Sequence, residues 1–165
     1  MKKIICSVLA LLLFGGFGVL YEDEVIPYRP IVMTREILEQ SVALLEAIPL
    51  KKPGKIYIKD NYLFINEKYK GIHIINNSDS VHPVNEGFLR IPGCIDMAMK
   101  GNILYADNAV DLVAIDLSNT ANMVVTKRIR NAFTEHYPPG YDYIPWMFSA
   151  ENRPKNTIII EWEEI

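Results

Sequence analysis

The side chains that could do acid–base, nucleophilic or metal chemistry are few and scattered along the chain. His73, His82 and His136 are the three histidines, and no two of them have the helical or short-loop spacing of a zinc site. His73 alternates with Ile72 and Ile74, so it reads as a strand residue packed among apolar neighbours. His82 lies in a turn rich in Asn and Ser. His136 stands among Tyr137, Tyr141, Tyr143, Trp146 and Phe148 and is the histidine best placed to meet a ligand. Tyr and Trp make stacking platforms for sugars or peptides. His136, Tyr137, Tyr141, Tyr143 and Trp146 are therefore the ligand-contact candidates. The same residues would also serve as a plug over an open sheet edge, which is the preferred reading.

The carboxylates and thiols carry less. Asp107, Asp111 and Asp116 lie close enough in sequence to offer oxygens to calcium, but calcium takes six to eight oxygens in a tight cage and no such loop is written here. Asp116 precedes a turn and reads as its cap. Glu161, Glu163 and Glu164 read as exposed charge, because glycosidic chemistry needs two carboxylates held across a cleft. Glu22, Asp23 and Glu24 read as a solvated linker. Cys6 and Cys94 are the only two cysteines, which excludes a disulfide scaffold. Cys94 follows Pro92-Gly93 with no basic neighbour, so a small buried hydrophobe is expected rather than a thiolate. No catalytic residue, no metal and no cofactor is assigned.

Charge and hydropathy narrow the compartment and the partners. The chain carries a formal charge of −3, of which Lys2 and Lys3 contribute +2, so the remainder carries −5. A body with this balance lacks the basic footprint of a nucleic-acid binder. Behind Lys2 and Lys3, Ile4 to Leu20 runs without a charge. That pattern predicts an export signal or an N-terminal anchor over residues 1–20, with membrane attachment through residues 4–20 in the second case. The expected location is outside the cytoplasm: periplasm, outer membrane or cell surface.

The elements that must position these residues follow from an internal repeat of about 40 residues. Lys59-Asp60-Asn61-Tyr62-Leu63-Phe64 recurs as Lys100-Gly101-Asn102-Ile103-Leu104-Tyr105, and Gly71 to Asn76 recurs as Asp111 to Asp116. His73 then matches Val113, and His82 matches Asn122. Each unit reads as four short strands with a tight reversal at Asp60-Asn61 or Gly101-Asn102, and Gly87 marks a bulge in the fourth strand of the first. The predicted fold is all-β and propeller-like, with two four-stranded antiparallel blades over 53–91 and 92–130 in an incomplete ring. A linker over 21–52 precedes them, irregular to residue 33 and then carrying a short helix over 35–46 capped by Thr34. An aromatic, proline-rich loop and a terminal strand over Thr157 to Trp162 complete a β-repeat domain spanning 53–165.

Two blades cannot close a ring, since propellers need at least four. Apolar faces would be left wet. Three resolutions follow: the chain is part of a longer propeller protein, which is preferred; copies associate through open blade edges; or the two units close as a sandwich.

Gly54 to Glu67, followed by Gly71 to Ser78, resembles the LVIVD-repeat proteins of Bacteroidetes. Leu112-Val113-Ala114-Ile115-Asp116-Leu117-Ser118 looks like the stretch that names the repeat, and Met33 to Leu38 looks like the segment preceding the first one. The likeness covers roughly residues 27 to 130. It implies an exported, often lipid-anchored, propeller-like protein without a defined function, and it brings no catalytic residues. The chain resembles only the N-terminal portion of those longer proteins, and Cys6, behind Ile4-Ile5, departs from their lipid-accepting pattern. The functional expectation is a cell-envelope binding or structural β-repeat module with a protein or glycan ligand. The alternatives are an envelope hydrolase acting on glycan or peptide, which calls for Asp107 or Glu161 facing His136 in a pocket, and a truncated fragment of a longer propeller protein without independent function.

Overall fold

The computed structural model describes residues 26–119 and 122–165. The apolar run 4–20, Cys6 and the Glu22–Glu24 cluster lie outside those residues. Among the described residues no helix is long and apolar enough to cross a membrane. The elements are β1 (Tyr28–Thr34), α1 (Arg35–Glu39), β2 (Ala43–Leu45), β3 (Pro53–Lys59), β4 (Tyr62–Glu67), β5 (Gly71–Asn76), β6 (Val84–Arg90), β7 (Met97–Lys100), β8 (Ile103–Asn108), β9 (Asp111–Asp116), β10 (Val124–Ile129) and β11 (Thr157–Glu164), with one 3-10 turn at Trp146–Phe148. The strands of the repeat stand where alternation places them. Both reversals begin with a left-handed residue, Asp60 at φ 51° and Gly101 at φ 59°, and both join strands whose last pairs are Lys59 with Tyr62 and Lys100 with Ile103. Asp tolerates that conformation and Gly adopts it freely, so two spellings produce one turn.

The chain is all-β and antiparallel, but the expected pair of four-stranded blades is corrected to three sheets. One has five strands in the order β2-β6-β5-β4-β3, one has four in the order β10-β9-β8-β7, and β1 pairs with β11 in a third. The extra strand of the first sheet comes from the predicted helix over 35–46. That helix ends at Glu39, and Ala43–Leu45 pairs with Phe88–Arg90 along β6. The Ser41 hydroxyl donates to the Leu38 carbonyl at 2.7 Å and closes the turn. An open strand edge offers unpaired backbone groups, and Leu44, opposite Leu89, gains apolar contact there.

Residues 21–33, read as irregular, contain most of β1. Pro30 is tolerated because β1 is an edge strand, and its partner is Trp162. The bulge predicted at Gly87 falls beside it. Ile74 pairs with Gly87 and Ile75 with Asn85, leaving Glu86 as the extra residue.

One apolar cluster joins the two larger sheets. Phe64, Ile72, Ile74 and Leu89 come from the first, Met97, Leu104, Ala106, Val113 and Ile115 from the second, and Ile91 and Cys94 from the connection between them. Burying a side chain of this size contributes about 1.5–3 kcal/mol. Cys94 is a buried free thiol, as expected, and burial followed by the nearby Asp107 carboxylate pushes it well above its ordinary value. Glycine is required at 71, where φ is +148° and a Cβ would stand 2.1 Å from the Leu89 carbonyl oxygen. A second cluster of Leu38, Ala109, Val110 and Ile158 seats α1 and the β1–β11 ribbon against the turn between β8 and β9.

Candidate functional site

Asp107 and His136 meet in one cleft. It has a volume of about 410 Å³ and is lined by Ala98, Tyr105, Leu112 and Phe133 as well. The Asp107 carboxylate accepts hydrogen bonds from the Ile95 N–H at 2.9 Å and the Asp96 N–H at 2.8 Å. It thereby ties down the entry to β7. Burial pushes its pKa up, against the opposing effect of those backbone donors and of His136. His136 Nε2 donates to the Gly93 carbonyl at 2.9 Å, and its ring lies 5.6 Å from that of Tyr69. Both groups are therefore committed to holding backbone. Glu161 stands in a different cleft, paired with Lys70 beside Lys51 and Lys52.

The aromatic segment divides into an anchored part and an exposed part. Arg153 pairs with Glu135 and donates to the Thr157 carbonyl at 3.2 Å. Glu135 in turn accepts from the Ile159 N–H at 3.1 Å. Trp162 Nε1 donates to the His136 carbonyl at 2.8 Å, and Phe148 meets the Trp162 ring edge-on at 5.5 Å. Pro138 and Pro145 are buried. Tyr141 lies half-buried, 5.7 Å from Tyr143 in an edge arrangement. Tyr137, Tyr143 and Met147 are exposed, and Trp146 is 78% exposed. Phe148 thus packs on Trp162 and the two prolines are buried, while the indole of Trp146 faces solvent.

Two buried charge clusters were not read from the sequence. Asp111, with no exposed surface, accepts from Arg35 Nη1 at 2.7 and 2.8 Å, from Arg128 Nη1 at 2.8 Å and from the Asn131 N–H at 3.0 Å. Guanidinium groups take up both oxygens of this carboxylate. Among the described residues no three His, Cys, Asp or Glu side chains group as a metal site. Asp116 Oδ1 accepts from the Ser118 N–H at 2.8 Å, as Asn76 Oδ1 does from Ser78 at 2.9 Å.

The second cluster pairs His73 with Glu67. His73 is fully buried against Phe88, ring centres 4.8 Å apart, and its Nε2 lies 2.7 Å from Glu67 Oε2. The two are diagonal neighbours on one sheet face, since Ile65 pairs with His73 and Glu67 with Gly71. A carboxylate two positions after Ile65 on that face was the available signal.

Burial alone would raise the Glu67 carboxyl, but the bond to His73 and the Lys51 N–H more than reverse this and hold it below the ordinary 4.5. A depressed folded pKa adds stability that is complete above the unfolded value and lost as pH falls through the folded one. Glu67→Gln is expected to lose about 1–3 kcal/mol near neutral pH and to flatten the stability profile below pH 4.5. Urea titrations at several pH values read both effects; an unchanged acid limb would refute the assignment.

Comparison with protein-family models, curated proteins and solved structures gave no match for this chain.

Proposed function

We propose that the chain is an exported, propeller-like β-repeat module of the cell envelope that binds glycan through the exposed aromatics of residues 137–147. Support for export comes from Lys2-Lys3 followed by the uncharged run to Leu20. Support for the propeller-like reading comes from two successive units with the same strand order, β3 to β6 and β7 to β10, sharing one apolar cluster. The likeness to LVIVD-repeat proteins points the same way. The observation that carries the binding reading is Trp146, held out to solvent by a segment that is itself anchored through Phe148, Arg153 and Trp162. Exposed indole and phenol rings on an anchored loop lose little entropy on stacking against a sugar.

Fluorescence tests this directly, because Trp146 and Trp162 are the two tryptophans and only Trp146 is exposed. Peptidoglycan fragments and β-glucan oligosaccharides should shift the emission of a Trp162→Phe variant. Trp146→Ala should weaken binding at least about tenfold, or 1.4 kcal/mol, with the unfolding midpoint unchanged. A glycan panel that leaves the emission still, or equal binding by Trp146→Ala, would sink the proposal.

The meeting of Asp107 and His136 in one cleft favours a second reading, an envelope hydrolase. Its sign in the same experiment is turnover of the oligosaccharide that His136→Ala abolishes and Trp146→Ala only slows.

A further inference from the structure

The chain is acidic overall, yet Lys51, Lys52, Lys68 and Lys70 collect around one cleft of about 440 Å³ beside the end of β11. Two pieces of chain bring them there. Lys68 and Lys70 stand on the turn from β4 to β5, which is held to the connection between the large sheets. The Tyr69 N–H donates to the Cys94 carbonyl at 2.6 Å, and the Ile91 N–H to the Lys70 carbonyl at 2.9 Å. Lys51 and Lys52 end the segment that crosses from β2, at one edge of the first sheet, to β3 at the other. That segment is fastened on its way: Asn85 Nδ2 donates to the Ile48 carbonyl at 2.9 Å, and the Lys51 N–H donates to Glu67 Oε2 at 3.3 Å.

Most carboxylates at this cleft are already taken. Glu67 is bound to His73, Glu161 to Lys70 and Glu163 to Arg29. Among the described residues, the ammonium groups of Lys51, Lys52 and Lys68 have no carboxylate partner, and Glu164 is the one lining carboxylate left without a cation. Lys68 Nζ lies 5.0 Å from the Tyr69 ring centre, which leaves its other side open. Like charges gathered in a concave site raise the local concentration of counter-ions. All three lysines are exposed, so the cleft offers them to a ligand from solution.

The same cleft runs into the aromatic segment. Pro139 lines it, and so does Trp162, whose N–H holds the His136 carbonyl and whose ring meets Phe148. Tyr69 lines it as well, with its ring 5.6 Å from that of His136. The lysines therefore adjoin the stretch that displays Trp146. We propose that the glycan taken by this module is acidic, its sugar rings stacking on the exposed aromatics of residues 137–147 while its carboxylates meet Lys51, Lys52 and Lys68. This inference rests on the glycan reading and adds the charge of the ligand to it.

Titration calorimetry on the full-length chain tests it with a matched pair of probes: a β-glucan oligosaccharide, and the same oligosaccharide with glucuronate in place of glucose. Three exposed ammonium–carboxylate contacts should make the glucuronate form bind about tenfold more tightly. The advantage should hold at about 0.1 M salt, where charges act over about 10 Å, and largely vanish at about 1 M, where they act over about 3 Å. Combining Lys51→Gln, Lys52→Gln and Lys68→Gln should bring the glucuronate form down to the affinity of the neutral one. The urea midpoint should stay where it is, because Lys51 holds Glu67 through its backbone N–H, which glutamine keeps. Trp146→Ala should weaken both sugars alike, since it removes stacking and not charge. Equal affinity for the two sugars, or a preference that survives the triple substitution, would overturn this inference and leave the glycan reading standing. Binding of neither sugar by the folded wild-type chain would overturn the two together.

Discussion

Asp111→Ala is expected to lower the free energy of unfolding by about 3–5 kcal/mol, the range found when one partner of a buried ion pair is removed. Arg35 and Arg128 both point a nitrogen at this carboxylate within 2.8 Å, and the side chains of both arginines are largely buried. Alanine would leave two guanidinium groups side by side with no counter-charge, and it would orphan the Asn131 N–H. The loss is a large share of the stability of an ordinary domain, about 5–15 kcal/mol. The shift is read as the urea midpoint at constant slope. Arg128→Met in the same chain should recover part of the loss by removing one stranded charge. A midpoint within about 0.5 kcal/mol of wild type, the range of an ordinary surface change, would show that the cluster is not structural. Burial would raise the Asp111 carboxyl, but the Arg35, Asn131 and Arg128 donors outweigh it and hold it below the ordinary 3.8. This share of stability is therefore complete above pH 3.8 and fades as pH falls through the lower folded value.

Trp162→Ala should cost a similar amount, about 3–5 kcal/mol for a buried indole, and should have a second effect that a simple cavity would not. Trp162 is 5% exposed and pairs with Pro30 in the β1–β11 ribbon. Its N–H holds the His136 carbonyl and its ring holds Phe148, so it fastens both ends of the stretch that displays Trp146. Truncation should open residues 137–147 to proteolysis at urea concentrations where the sheets remain folded. Trp162→Phe, which keeps a six-membered aromatic ring but loses the N–H donor and part of the indole's volume, should cost less, about 1–3 kcal/mol. Equal digestion of wild type and Trp162→Ala would mean that the loop is held by other contacts. Because Trp162 stands behind the display surface rather than on it, glycan binding by Trp162→Phe should survive while that of Trp162→Ala weakens.

The two effects concern the same design. The repeat units supply sheets, and the segments outside the repeat supply what fastens them. α1 brings Arg35 to Asp111, the strand after the aromatic loop brings Trp162 to His136, and β1 closes against β11 from the opposite end of the described chain.

The amino-acid order by itself determined the short strands, their reversals and their repetition. Alternation in Ile72-His73-Ile74-Ile75, the left-handed residue at 60 or 101, and the Asn76 and Asp116 turn caps are properties of a few consecutive residues, and consecutive residues can be read without knowing the rest. His136 and its aromatic neighbours were legible as a cluster for the same reason. Tertiary structure decided the remainder. β1 finds β11 across more than a hundred residues, β2 leaves a helical period to join the edge of β6, and Asp111 takes its partners from 76 residues upstream and 17 downstream. It also decided that Met97 is buried while its counterpart Ile56 is wet, although both are apolar in the same pattern. Backbone dihedrals and side-chain period act locally, whereas strand pairing, buried ion pairs and burial itself are settled by which distant surfaces the folded chain brings together.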